Sequence, residues 1–258
     1  MSHVDSSQPL GTPTWIDLGI PDLDGAMEFY GAVFGWQFEV GPEETGRYTM
    51  CRRDGRAVAA IMPNPDPAAT DFWWSVYLAT DDCDATAKRI TDAGGTLVNP
   101  PMDVMEQGRM AIAADPVGAQ FGLWQAGTFV GAELVNEPSA LLRNDLVTPT
   151  PEPARKFYAA VFDFALDGNP ALPGLDFTFL RRPDGHEIGG IVGDPSAASS
   201  RWGTLFEVAD TDAAVARARA AGGTATDPQD FPYGRTAQVT DPFGATFEVG
   251  SRPTGAAS

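Results

Sequence analysis

Two near-copies of one phrase end differently. DPVGAQFG runs from Asp115 to Gly122, and DPFGATFE runs from Asp241 to Glu248. The second copy ends on a carboxylate, which can accept a proton, accept a hydrogen bond from a hydroxyl, or bind a cation. The glycine of the first copy has no side chain to do any of these. Other reactive side chains are sparse: two histidines, His3 and His186, and two cysteines, Cys51 and Cys83. The cysteines form no CxxC pair, suggest no disulfide framework, and have no neighbouring His or Lys pattern to lower a thiol pKa, so they read as inert. His186 lies beside a turn and reads as a surface residue. Matched GR steps place Arg109 and Arg235 at the entry to a late strand. A guanidinium there can grip an anionic group bidentately, but its presence in both copies fits a structural ion pair better. Arg52-Arg53 and Arg181-Arg182 read as solvated strand ends.

The duplication extends well beyond that phrase. FYGAVFGW (Phe29 to Trp36) returns as FYAAVFDF (Phe157 to Phe164), and CRRDGRAVAAI returns as LRRPDGHEIGGI. AGGT recurs at Ala93 and Ala221, and GRMAIAADPVGA recurs as GRTAQVTDPFGA, all at an offset of 126 to 130 residues. The chain therefore divides into two homologous units, 12–126 and 141–252, joined by a linker at 127–140, with tails at 1–11 and 253–258.

Each unit has one layout. A strand leads through the N-cap residue Asp22 to apolar positions 26, 29, 30, 33 and 34, the spacing of an amphipathic helix, repeated at 154, 157, 158, 161 and 162. Asp54-Gly55 and Asp184-Gly185 turn a hairpin. A further strand feeds a second helix that stops at Gly94-Gly95 or Gly222-Gly223, and the DPxG phrase turns the last hairpin. The order is βαβββ, twice per unit and four times per chain, which is an α+β fold with antiparallel pairing expected from the short hairpins.

The chain has 258 residues, 43% hydrophobic and 10% aromatic, with a formal charge of −18 and its seventeen Lys and Arg scattered. Such a chain repels phosphates and anionic membranes, so nucleic-acid and membrane partners are excluded and a small molecule or a second copy is expected. No apolar run approaches the ~18 residues of a membrane span. MSHVDSSQPLGTP lacks the basic and apolar regions of a secretory signal and reads as a disordered lead-in, so a cytoplasmic protein is expected.

Paired βαβββ modules, with FY…VFGW in the first helix, GG closing the second and DPxGxxF(E) near the end, resemble the vicinal oxygen chelate superfamily. That family includes glyoxalase I, extradiol dioxygenases, fosfomycin-resistance transferases and bleomycin-resistance binding proteins. The fused two-unit form is similar to actinobacterial glyoxalase-like proteins. The resemblance implies curved, partly closed mixed sheets with helices outside and metal ligands projecting into a cleft. Those ligands are a His or Gln on the first strand, a His at the start of the strand before the second helix, and a Glu on the last strand. Glu248 occupies that last place and Gly122 is its counterpart.

The other places hold no imidazole. Trp15 and Arg143 stand at the first, and Trp74-Ser75 and Trp202-Gly203 at the second. Asp145, with Asp17 as its counterpart, is two residues beyond Arg143 and so on the same strand face. If a divalent ion is bound, Glu248 and Asp145 would suit Mg²⁺ or Mn²⁺; a metal-free pocket is the expectation. Glu248 reads either as a base or hydroxyl acceptor in the cleft, or as a carboxylate paired to arginine, with Arg143 the expected partner. Trp15, Trp74, Trp202 and Trp124, at or near the ligand places, predict an apolar, indole-lined cup, or in the first unit a filled core. Glycine at 122 and 203 suggests open space, while Tyr48 and Phe177 are either cup lining or core.

Three functions follow. One is a metal-independent lyase, isomerase or cyclase acting on an aromatic or apolar molecule, with Glu248 and Asp145 catalytic and Arg143, Arg235 and the four tryptophans binding substrate. The second is a non-catalytic sequestering protein of the antibiotic-resistance type. The third is a divergent metal-dependent glyoxalase or dioxygenase. The protein is expected to be a monomer or homodimer.

Overall fold

The computed structural model describes residues 3–168 and 174–253. In the first unit the elements are β1 (Pro13–Ile20), α1 (Leu23–Phe34), β2 (Gln37–Glu39), β3 (Thr49–Arg53) and β4 (Arg56–Pro63), then β5 (Trp74–Ala79), α2 (Cys83–Asp92), β6 (Thr96–Val104), β7 (Gly108–Ala114) and β8 (Gln120–Ala126). The second unit repeats them as β9 (Leu141–Thr148), α3 (Pro151–Phe162), β10 (Ala165–Gly168), β11 (Asp176–Arg181) and β12 (Glu187–Gly193), then β13 (Arg201–Glu207), α4 (Thr211–Ala220), β14 (Thr224–Ala225), β15 (Gln229–Phe231), β16 (Gly234–Thr240) and β17 (Thr246–Ser251). The βαβββ order holds four times, except that two short strands, β14 and β15, stand where the first unit has β6.

The first sheet has the order β2-β3-β4-β1-β5-β8-β7-β6, and the second β10-β11-β12-β9-β13-β17-β16-β14 with β15 on β16. The hairpins are antiparallel as expected. Each module's first strand, however, lies parallel to its last: β1 on β4, β5 on β8, β9 on β12 and β13 on β17. The helix crossover after the first strand returns the chain in the same direction, so the sheets are mixed. Two modules join along the antiparallel pairs β1–β5 and β9–β13. Neither sheet closes into a barrel.

Local chemistry accounts for the ends of these elements. Asp22, Asp82 and Asp210 cap their helices by accepting from the backbone N–H three residues on. Asp54 and Gly55 both take positive φ, 50° and 80°, as a tight two-residue hairpin requires.

The helices lie on the face of each sheet away from the clefts, where the two units meet. There α1 packs on α4 and α2 on α3. Phe29, Tyr30 and Phe34 of α1 pack edge-on or tilted against Phe247 of the other unit, and Phe34 also meets Phe206. The polar bonds across this seam are reciprocal. Tyr30 donates to Asp241 Oδ2 at 3.0 Å, and Tyr158 donates to Asp115 Oδ2 at 3.0 Å. Arg217 reaches the Val33 carbonyl at the end of α1, and Arg89 reaches the Ala160 carbonyl of α3.

Two segments differ from the sequence-based reading. Residues 127–140 are more than a linker: Ala132, Leu134 and Ala140 are buried, and Ala132 N–H and Glu133 N–H bond to the Thr14 and Ala57 carbonyls. The N-terminal lead-in, expected to be disordered, runs beside it. His3 bridges Leu134 and Val4 N–H bonds to the Glu133 carbonyl, because the packed linker offers an unpaired backbone edge. Residues 254–258 of the expected C-terminal tail lie outside the described residues.

Tyr158 hydroxyl also accepts the buried Trp202 indole N–H at 2.8 Å. Tyr158→Phe is therefore expected to lower stability by about 2 kcal/mol, since it leaves a buried donor unpaired as well as removing the bond to Asp115. Asp115→Ala, which also strips the acceptor of Val117 and Ala119 N–H, should cost about 3 kcal/mol. Urea denaturation of the full chain measures both.

Candidate functional site

The two concave faces have different fates. In the first unit the face is filled. Trp15 donates its indole N–H to Tyr48 hydroxyl at 2.7 Å, and the hydroxyls of Tyr48 and Tyr77 donate to Asp17 Oδ2 at 3.1 and 3.0 Å. Phe129 from the inter-unit segment packs edge-on against Trp15 and Trp124, with ring centres 4.8 and 5.9 Å apart, and its carbonyl accepts from Trp124. The linker therefore plugs this cup. Gly122 is not open space: a Cβ there would lie 2.1 Å from the Tyr77 ring. Tyr77 and Gly122 are register partners on β5 and β8, so the missing side chain is the seat of the tyrosine. Burial pushes the Asp17 carboxyl up to about 6.

In the second unit the equivalent face is an open cleft of about 1400 Å³. The register counterparts of Tyr77 and Gly122 are Leu205 and Glu248. Phe247 and Val249, on either side of Glu248, are buried in the helix layer, and strand alternation turns Glu248 to the cleft. No hydrogen bond or ion pair reaches its carboxylate from the described residues. Desolvation by the cleft walls, and then the nearby Asp145 carboxylate, raise its pKa above the ordinary glutamate value.

Arg143 does not pair with Glu248 as expected. Its Nε donates to both Asp145 oxygens at 2.8 and 2.7 Å, and Nη1 donates to Glu187. The guanidinium lies over Phe177 and Phe179, 5.4 and 5.5 Å from their ring centres, and its buried Nη2 has no hydrogen-bond partner among the described residues. Arg181 stacks on Phe179 at 5.3 Å and pairs with Asp167 and Glu187. A ladder of alternating charge thus crosses the wall, interleaved with aromatic rings. Phe177 lies on the sheet floor only because Gly190 is beneath it, where a Cβ would come within 2.3 Å of the ring. Gly203 does front open space: a Cβ there would meet only the Asp145 carbonyl oxygen, at 3.5 Å.

The other expected binding residues are scattered. Trp15 and Trp124 belong to the filled cup of the first unit. Trp74 and Trp202 reach the rim of the cleft, but their rings are packed edge-on against Tyr30 and Tyr158 in the helix layer. Arg235 turns to the helix face, where it pairs with Asp212 and Asp230, as Arg109 does with Asp84 and Asp103. The structure therefore brings together Glu248, Asp145, Arg143 and Phe177, and adds Glu187, Phe179, Leu205 and Gln238. Gln238 was readable from the alternation of GRTAQVT, since Ala237 and Val239 are core. Glu187 carried no pattern of its own. Among the described residues no three His, Cys, Asp or Glu side chains converge as a metal site would need.

The model of the glyoxalase/bleomycin resistance protein/dioxygenase superfamily matches residues 12–123 and again 140–249. The chain belongs to that superfamily. Within it, the chain is 39% identical over 246 residues to the glyoxylase-like protein CFP32 of Mycobacterium tuberculosis (strain CDC 1551 / Oshkosh), covering 93% of this chain and 94% of that one. It is 38% identical over 258 residues to the anthracycline biosynthesis protein DnrV of Streptomyces peucetius, covering 93% and 92%. Among solved superfamily structures, the Mn(II)-bound glyoxalase from Novosphingobium aromaticivorans aligns with a TM-score of 0.69 at 17% identity, covering 94% of this chain and 82% of that one. The 2,2',3-trihydroxybiphenyl 1,2-dioxygenase of Sphingomonas wittichii strain RW1 aligns at 0.65 and 17%, covering 94% and 90%. These structural likenesses concern the shared superfamily fold.

Two outcomes are expected from the contrast between the units. The native state holds the Asp17 proton more tightly than the unfolded chain, whose carboxyl titrates near 3.8. Stability should fall as pH rises from about 4 to about 6 and remain lower above. Asp17→Asn is expected to match the parent near pH 4 and to exceed it at pH 7 by on the order of 3 kcal/mol, in urea melts run across that range. Gly122→Ala should cost about 3 kcal/mol by displacing Tyr77, whereas Gly203→Ala should stay within about 0.5 kcal/mol.

Proposed function

We propose that the cleft of the second unit binds a small aromatic or polycyclic molecule, and that Glu248 acts there as a metal-independent proton acceptor in a lyase-, isomerase- or cyclase-type reaction. The observation that carries this reading is Glu248 itself: a carboxylate facing the cleft without a partner among the described residues, with a pKa raised by desolvation. A base works best when its pKa lies near the working pH, and this environment moves a glutamate in that direction. Phe177, Phe179 and Leu205 offer apolar surface to a ring system. Asp145 is held by Arg143, so its part is electrostatic: it sustains the raised pKa of Glu248 while the guanidinium keeps its own charge compensated. The kinship with a protein named for anthracycline biosynthesis supports a polycyclic, oxygenated ligand.

The donors do not suit a catalytic divalent ion. No imidazole joins Glu248, and Arg143 brings positive charge to the wall that would have to supply the second ligand. The proton transfer therefore falls to the Glu248 carboxylate. Stoichiometric Mn, Fe, Zn or Ni in protein purified without chelator would overturn that half of it.

The decisive comparison is Glu248→Gln against the parent, incubated with a panel of hydroxylated tricyclic and tetracyclic quinones and followed by mass spectrometry and equilibrium binding. Turnover should fall by about 10² to 10⁴-fold while affinity moves by less than about tenfold. The acid limb of the parent's pH–rate profile should lie above the ordinary glutamate value of 4.5. A parent protein that binds these molecules tightly and returns them all unchanged would instead be a sequestering protein.

A further inference from the structure

We infer that the mouth of the cleft is a second subsite, an apolar clamp of Leu175, Phe231 and Tyr233, which selects planar ligands of three or more fused rings. The inference rests on the reading of Glu248 as the inner anchor and extends it to the size and shape of the ligand. Leu175, Phe231 and Tyr233 are 45%, 49% and 55% exposed, and all three line the cleft. They come from opposite sides of the curved sheet. Leu175 precedes β11, near one edge, while Phe231 ends β15 and Tyr233 enters β16, at the other. Large apolar side chains held half in water at the two lips of one cleft gain by being covered together.

The corresponding hairpin of the first unit has a different task. There Met105 and Gln107 stand in place of Phe231 and Tyr233, and the linker ties the turn down, with Gly127 N–H and Phe129 N–H on the Gln107 carbonyl and Thr128 N–H on Glu106. The aromatic pair therefore occurs only in the unit whose cleft is open. Register sets the span. Gln238 is the cross-strand neighbour of Glu248, and Tyr233 lies five residues before it, about 17 Å along an extended strand. Side chains reaching inward from both ends shorten that gap to roughly three or four fused rings. The cleft volume of about 1400 Å³ likewise exceeds the about 300–1,000 Å³ typical of drug-sized ligand pockets.

The test is equilibrium binding of 1,8-dihydroxyanthraquinone, a tricycle, and 1,8-dihydroxynaphthalene, a bicycle, to the full chain and to Phe231→Ala, Tyr233→Ala and Glu248→Gln. Each alanine variant should weaken the tricycle about tenfold and the bicycle less than twofold, whereas Glu248→Gln should move both by the same factor. A parent that binds the tricycle and not the bicycle also supports the selectivity. Alanine variants that leave the tricycle within twofold, or weaken both probes equally, overturn the clamp and leave the inner site standing, as does a bicycle bound more tightly than the tricycle. If the parent binds neither probe, the inner reading fails with it. Phe231→Trp gives a readout independent of the truncations: the added indole should be quenched by the anthraquinone beyond the parent's quenching, and its persistence unquenched would overturn the clamp.

Discussion

A single carboxylate in each DPxG turn holds this molecule together. Asp115 closes its own hairpin by accepting from Val117 and Ala119 N–H, and with its second oxygen it takes the Tyr158 hydroxyl from the other unit. Asp241 does the same with Phe243, Ala245 and Tyr30. The turn that ends each unit is thus also the latch that receives the first helix of the other. Because Tyr30 and Phe29 are held there, Phe247 is locked into the helix layer. Strand alternation then leaves Glu248 no direction but the cleft. The site depends on a contact made on the opposite face of its own sheet.

Against that shared frame, the two units separate through a few exchanges. Trp15 replaces Arg143, Tyr77 replaces Leu205, and Gly122 replaces Glu248. Each swap exchanges a cleft-forming residue for a filling one, and they act together. Tyr77 needs the glycine beneath it, and Tyr48 and Tyr77 need an acceptor, which Asp17 supplies as a carboxylate buried among aromatic rings. The first unit uses its concave face for packing, and the second leaves it open.

Much of this was legible in the amino-acid order. The repeats, the capping Asp22, the Asp54-Gly55 hairpin and the glycine stops of α2 and α4 are local signals, and each corresponds to the element it predicts. Glu248 stood out because its twin is Gly122, a comparison that needs only the chain itself. What local reading could not supply was the side of the sheet on which an aromatic ring ends. Trp74 and Trp202 sit beside Ser75 and Gly203, and a one-residue step along a strand separates cleft from helix layer. Arg143 was placed on the correct strand but given the wrong partner. Its bond to Glu187 depends on β12, about forty residues on, laid beside β9, whereas Asp145 lies two residues along the same strand.

The segment 127–140 has a consequence for symmetry. A tandem duplication has two cups but only one joint, so the copies cease to be equivalent at the moment of fusion, before any residue in either cup has changed. Here the joint leaves β8 and crosses the mouth of the first cup, laying Phe129 against Trp15 and Trp124 on its way to β9. Chain direction therefore decides which copy the joint can stopper. The tether and the residues it covers make one packed layer, so what joins the two copies is also what sets them apart.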